Sequence, residues 1–479
     1  MSLRSTPSRV ASRPLLALLL VLLAGGCKVG PDYRPQQPQL PQAWFGPTVK
    51  PSPAEVAAQD LARWWTVFQD PLLTSLVARA GQSNLSVKQA ESRIRQARAA
   101  RQMTAAGLGP SLAGLGAFSR SRSAGSGFVG NQFQAGLDAG WEIDIFGGTR
   151  REVEAADAEV LASIENRRAV LVSLTAEVAL AYLDLRSYQQ RIVIAQDNLV
   201  SQRKSGEVTR KRFQGGFVSG LDVANAEAQE ASIAAQIPTL RTAAQQAVYS
   251  LGVLLGQSPA ALEKELAPVA QVPVAPPEVP TGVPADLLRR RPDIRQAEAQ
   301  IHAATALIGA ATSDLLPKFT LSGMIGYQSN RWGTLNDWPN RFWSFGPGIN
   351  WQLFDSGRIL ANIRLNEAVR DETVFAYQQT VLTAMQEVEN ALVAAANEQE
   401  HRRLLTNAVT SYRRALTLST RLYAEGQTEY LNVLEAQRSQ YTSEQALMQS
   451  NRDLSADLVA LYKALGGGWE EDKAAPAGH

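Results

Sequence analysis

The chain has 479 residues, 47 Lys and Arg against 45 Asp and Glu, a formal net charge of +2 and 45% hydrophobic residues. So even a charge balance, with no dense Lys/Arg block, argues against nucleic acid as a partner, and the apolar content excludes a disordered chain. Length alone suggests two or three domains.

Arg4, Arg9 and Arg13 precede an apolar run from Leu15 to Leu23, then Ala24, Gly25 and Gly26, the layout of a secretory signal peptide over residues 1–26. Cys27 is the only cysteine, so no internal disulfide forms and its thiol is free for covalent attachment. Residues Leu23 to Cys27 resemble a bacterial lipobox, with two glycines after Ala24 where one small residue is commonest. Cys27 is therefore the expected lipidation site, and residues 27–60, rich in proline, are expected to be an extended segment. Beyond residue 26 no apolar run is long enough for a transmembrane helix, so any membrane crossing must use strands.

The rest is one plan written twice. "WEIDIFGG" from Trp141 faces "WQLFDSGR" from Trp351, and "GFVSGLDVANAE" from Gly216 faces "GQTEYLNVLEAQ" from Gly426; "QAESRI" from Gln89 faces "QAEAQI" from Gln296. The first repeat is placed at 61–256 and the second at 285–465. A Pro-rich linker at 257–284 separates them, and a flexible, frayed tail at 466–479 follows.

Within the first repeat a helical pattern runs from Leu72 to about Ala106, returning Leu76, Ala80, Val87, Ala90, Ile94 and Ala97 to one face. From Phe133 to Ile145 apolar and polar residues alternate, and "SLAGLGAF" from Ser111 is the partner strand. The second repeat alternates from Phe319 to Tyr327 and from Trp343 to Leu353. Hairpins are thus predicted at about 111–146 and 318–355, with loops at 119–132 and 329–341. After each hairpin the helical period resumes for on the order of 65 residues, from Thr149 to Phe213 in the first repeat, or about 95 Å. Tips follow at about 214–222 and 424–432, then return helices. Gly216 and Gly426 are expected as left-handed helix C-caps, with Ser219 or Asp222 and Thr428 as the following N-caps.

Four alternating strands have the signature of a membrane barrel, but four cannot close one, so the chain must pool strands with copies of itself. A soluble alternative packs the hairpins as a sandwich edge on helices. Trp141, Trp332, Trp338, Trp343 and Trp351 near strand ends suit an interfacial belt or plain core packing. Arg289 to Arg291 before Pro292 read as solvated or paired with a neighbouring helix. His302, His401 and His479 are too scattered for a metal cluster, and neither a cofactor nor a catalytic residue is expected.

"CKVGPDYRP", "WWTVFQDPLLTSLV", "WEIDIFGGTRREVEAA", "LLRRRPDIRQAE" and "FGPGINWQLFDSGR" resemble the outer-membrane efflux proteins (TolC-like), and among them the NodT-type lipoproteins of tripartite resistance-nodulation-division (RND) pumps. The resemblance spans almost the whole mature chain. It implies an α+β membrane protein: a homotrimer with a twelve-stranded barrel in the outer membrane of a Gram-negative bacterium, continuous with a twelve-helix periplasmic tunnel. Its partners would be outer-membrane lipid, a periplasmic adaptor and an inner-membrane RND-type pump.

The resemblance also implies site roles. Gly216, Phe217, Val218, Ser219, Gly426, Gln427 and Thr428 would meet the adaptor; Phe217 and Val218 make that turn unusually apolar. Leu431 and Glu435 lie one helical turn apart on one face, where the family carries a hydrophobic and an acidic ring. With Asp222 they are the candidate pore constriction, although Glu stands where Asp is common and Asn432 where some members have another acid. The plain alternative is a core leucine and a solvated glutamate. The expected function is passive export of small molecules such as drugs. Alternatives are an outlet for metal ions or type I protein secretion, and a lipid-anchored helical scaffold.

Overall fold

The computed structural model describes residues 28–46, 61–122, 124–125, 127, 129–274 and 284–470. Cys27, the signal segment, parts of both Pro-rich stretches and residues 471–479 lie outside the described residues. The first repeat builds α1 (Pro71–Ser83), α2 (Leu85–Ala106), β1 (Ser111–Arg122), β2 (Val129–Ile143), α3 (Gly148–Gln214) and α4 (Gly220–Leu254). The second builds α5 (Pro292–Ser313), β3 (Lys318–Ser329), β4 (Arg341–Asn350), α6 (Arg358–Ala424) and α7 (Tyr430–Ala464). Elements α2 and α5 have 22 residues each, α3 and α6 have 67, and α4 and α7 have 35. The starts of α2 and α5 and of β1 and β3 are 207 apart (292 minus 85, 318 minus 111). Those of α3 and α6 and of α4 and α7 are 210 apart (358 minus 148, 430 minus 220).

The chain divides into two compact units. The first holds the described residues of Met1–Gln37, Ser92–Ile164 and Gln296–Gln378. Its strands form one antiparallel sheet in the order β1-β2-β3-β4, so β1 and β4 are edges. Ser111 pairs with Gly140 and Lys318 with Asn350, the same register under the two repeat offsets. Leu112, Phe118, Ile325, Phe345 and Ile349 are exposed, as are all five strand-end tryptophans. The apolar face therefore packs on no helix, against the sandwich-edge alternative.

Residues 28–46 contain no helix or strand, as the prolines predict. Val29 N donates to the Phe146 carbonyl at 3.1 Å, and Arg151, 1% exposed, donates to the Val29 carbonyl at 3.1 Å and to Asp32 at 2.6 Å. Gly30, at φ +85°, crosses α5 so closely that a Cβ there would lie 2.4 Å from the Gly309 Cα. The Tyr33 ring stacks on His302 at 4.4 Å and its hydroxyl donates to Glu298 at 3.0 Å.

The second unit holds the described residues of Pro38–Glu91, Glu165–Arg295 and Gln379–His479. Its core includes Trp64, stacked on Tyr462 at 5.4 Å, and a cluster of Ala195, Leu199, Ile233, Ile237, Leu240 and Tyr441.

Four boundaries differ from expectation. The helix over 72–106 is broken at Asn84, whose Oδ1 accepts from Ser86 N and Val87 N and whose Nδ2 donates to the Leu254 carbonyl. The first hairpin loop is shorter than 119–132, because the ladder continues to Arg122 opposite Val129. Strand β4 stops at Asn350, short of Leu353, where the Trp351 indole turns to donate to the Leu315 carbonyl. Residues 466–470 are not frayed: Gly466, Gly467 and Gly468 are buried, Gly468 N donates to the Leu61 carbonyl, and Arg168 and Arg295 flank the Trp469 ring.

Candidate functional site: the helix tips

Helices α3 and α6 end by the same device. Gly216 (φ +77°) and Gly426 (φ +76°) take the left-handed conformation. Gly216 N donates to the Phe213 carbonyl and Phe217 N to that of Arg212, both at 2.9 Å. Gly426 N donates to the Tyr423 carbonyl at 3.0 Å and Gln427 N to that of Leu422 at 2.9 Å. These paired bonds satisfy carbonyls that a helix end leaves open, and a Cβ would strain the glycine φ.

The two restarts differ. Ser219 caps α4: its Oγ accepts from Asp222 N, and Asp222 Oδ2 accepts from Ser219 N at 3.0 Å. Asp222 is thus engaged in the cap. At the second tip Thr428 is not the N-cap. Glu429 holds that place without a side-chain cap bond, and Thr428 Oγ1 accepts from Asn432 Nδ2 at 2.8 Å. The reason is chemical: Glu429 and Asn432 stand where the first repeat has Ser219 and Asp222, so the reciprocal hydroxyl–carboxylate pair is absent.

Phe217 is 77% exposed and Leu431 58% exposed, so Leu431 is not a core leucine. Gln427 and Glu435 are exposed, Val218 and Thr428 half-buried. Among the described residues the Glu435 carboxylate has no hydrogen bond or ion pair, unlike that of Asp222. Behind Leu431 and Glu435, Tyr430, Val433 and Leu434 are buried with Ala226 and Tyr423.

Sequence reasoning missed the lock beneath the tips. The Arg212 guanidinium lies over the Tyr423 ring at 4.5 Å and donates to its carbonyl. Gln202 donates to the Tyr430 hydroxyl at 3.1 Å, and burial raises the pKa of that phenol. Tyr423 and Tyr430, seven residues apart around Gly426, were the available signal.

Elsewhere, Arg291 is buried and pairs with Asp293 and with Glu387 of α6, the helix pairing expected for that arginine run. His302 Nε2 lies 3.2 Å from Glu154. Among the described residues no group of three or more His, Cys, Asp and Glu is arranged to hold a metal, and no helix is long and apolar enough to cross a membrane. A polar cavity of about 230 Å³ lies between the ends of β2 and β3 and helices α3, α5 and α6. Burial there raises the pKa of Glu152, with the Lys318 cation opposing and the Asp314 and Asp144 carboxylates adding to the rise.

Comparison with known proteins agrees with this architecture. The family model described as "Outer membrane efflux protein" matches residues 76–257 and 283–467. The chain is 35% identical over 478 residues to Nodulation protein T of Rhizobium leguminosarum bv. viciae, covering 96% of this chain and 95% of that one. It is 32% identical over 471 residues to the antibiotic efflux pump outer membrane protein ArpC of Pseudomonas putida, covering 96% of each. The solved structure of the outer-membrane channel OprN superposes with a TM-score of 0.84 at 34% identity, over 92% of this chain and 100% of that one. The chain belongs to the outer membrane efflux protein family and is an efflux channel of the outer membrane.

Proposed function

We propose that the chain is the exit duct of a tripartite pump. It assembles as a homotrimer whose pooled strands close a twelve-stranded barrel, and whose helices form the periplasmic tunnel. The observation that carries this reading is the four-stranded sheet with two unpaired edges and an exposed apolar face. Such edges leave backbone groups unsatisfied in lipid until another copy pairs with them. Export is passive, with energy supplied by an inner-membrane RND-type pump; small molecules such as antibiotics are the cargo class, in keeping with the name of the ArpC relative. No catalytic step is assigned to the chain.

Acyl chains on Cys27 tether the mature N-terminus to the outer membrane. Residues Gly216 to Ser219 and Gly426 to Thr428 form the adaptor-docking tips, supported by the exposure of Phe217. Leu431 and Glu435 form the constriction, supported by their exposure on one helical face above a buried tyrosine cluster. Asp222 adds charge nearby while capping α4. A photo-crosslinking residue at position 217, in cells that also carry a periplasmic adaptor and an inner-membrane RND-type pump, tests the docking reading. The expected product joins the chain to a periplasmic adaptor; products containing only this chain would remove the tips from that role.

A further inference from the structure

We propose that the outward ends of the strands carry a docking surface for the phosphorylated sugar headgroup of the outer-leaflet glycolipid. This rests on the barrel reading above, in which the apolar face of the sheet meets lipid. Strand β1 follows α2 and β2 leads into α3, while β3 follows α5 and β4 leads into α6. The ends at Arg122 and Val129, and at Ser329 and Arg341, therefore point away from the helices. In an outer-membrane channel whose helices lie in the periplasm, those ends reach the outer leaflet.

The apolar face changes character there. Residues paired across the ladder share a face, so Leu112 and Phe118 of β1 lie with Ile349, Phe345 and Trp343 of β4. The alternation then carries Phe118 into Arg120 and Arg122, and Trp343 into Arg341. All three arginines are exposed. Beside them runs an aromatic band: the Phe118 and Phe133 rings are 4.7 Å apart, and Phe133 meets Trp332 at 5.7 Å. Such bands mark the level where hydrocarbon gives way to headgroups, which sets the arginines at headgroup height.

Charge selects the occupant. Residues 118–133 hold Arg120 and Arg122 and no acid, and residues 327–343 hold Arg331 and Arg341 against Asp337 alone. Among the described residues none of these arginines is in an ion pair. At the helix-side ends, by contrast, Arg150 pairs with Asp144 and Lys318 with Asp314. Arg341 is held in place: its guanidinium lies 3.8 Å over the Trp338 ring and donates to the Trp338 carbonyl at 3.3 Å. Its other N–H groups remain for a forked bond to phosphate. Strands β1 and β4 are three ladder steps apart, roughly 14 Å. Cations at both margins of the sheet suit a sugar headgroup with two phosphates better than a phospholipid with one.

The purified full lipoprotein in detergent, titrated with bisphosphorylated lipid A and read by native mass spectrometry, tests this surface. Arg120→Gln, Arg122→Gln and Arg341→Gln combined should weaken lipid A binding about tenfold, because each basic residue adds to the attraction for an anionic headgroup. Arg93→Gln, Arg98→Gln and Arg358→Gln combined remove the same charge from the helices and should leave binding unchanged. Phosphatidylglycerol should bind the wild-type protein about tenfold more weakly than lipid A. Wild-type affinity in the strand-end variant, an equal loss in the helix variant, or equal binding of phosphatidylglycerol overturns the proposal. Conductance of the same preparations in planar bilayers separates the two failures. Conducting channels without this preference leave the duct reading standing; inert protein removes both.

Discussion

The indole Nε1 of Trp141 donates to the Leu108 carbonyl at 2.9 Å, fastening the end of β2 to the turn that enters β1. Trp351 does the same to Leu315 at 3.0 Å in the second repeat. Trp141→Phe keeps most of the ring and removes one hydrogen bond, with a net cost of about 1 kcal/mol. The variant should lower the unfolding temperature of the purified protein, and Trp351→Phe should lower it by a similar amount. Unaltered unfolding in both would show that the clasps add nothing to stability.

Leu431 and Glu435 face outward from a buried cluster, and Glu435 has no counter-charge among the described residues. If three copies bring these side chains together, Leu431→Ala widens the closed end and Glu435→Ala discharges it. Resting conductance in planar bilayers should rise in each variant. Wild-type conductance in both would dismiss the gate.

Asp457 on α7 is pushed up to about 6 by burial first, then by the nearby Glu398 and Asp453 carboxylates, with Arg452 opposing. A folded-state pKa above the unfolded value of about 3.9 favours the protonated fold. The stabilisation is therefore fully present below about pH 4 and lost as pH rises through about 6. Asp457→Asn should melt higher than wild type at pH 7, by about 1 kcal/mol after solvent screening of a half-buried site. The difference should shrink at pH 4.5. A pH-independent gap would point to packing instead.

Arg151 holds the N-terminal strap through Val29, Gly30 and Asp32. Arg151→Met leaves those acceptors without their charged donor, and the strap should open more often. Limited chymotrypsinolysis should cleave after Tyr33 about tenfold faster, given on the order of 1.4 kcal/mol lost. Unchanged cleavage would assign the docking to Tyr33 and Gly30 alone.

The repeat, hairpins and long helices are legible in the sequence because each rests on a local period that the fold keeps. Gly216 and Gly426 are legible as caps for the same reason. The break at Asn84 is not, because Val87 and Ala90 continue the apolar face of Leu76 and Ala80 while a single side chain redirects the backbone by bonding Leu254. Nor is the end of β4 at Asn350, since Trp351 preserves the alternation but spends its indole on Leu315. Arg212 over Tyr423 and the order of Gly466 to Gly468 depend on contacts between segments far apart in the chain, which no local pattern encodes. At the second tip, Thr428 has a capping side chain but sits one residue before the cap.

Mass and ion conductance of the purified, membrane-reconstituted protein test the central claim most directly. A detergent-resistant assembly of three chains that passes ions across a planar bilayer is the predicted result. A single chain that inserts no strands and passes no current would contradict it.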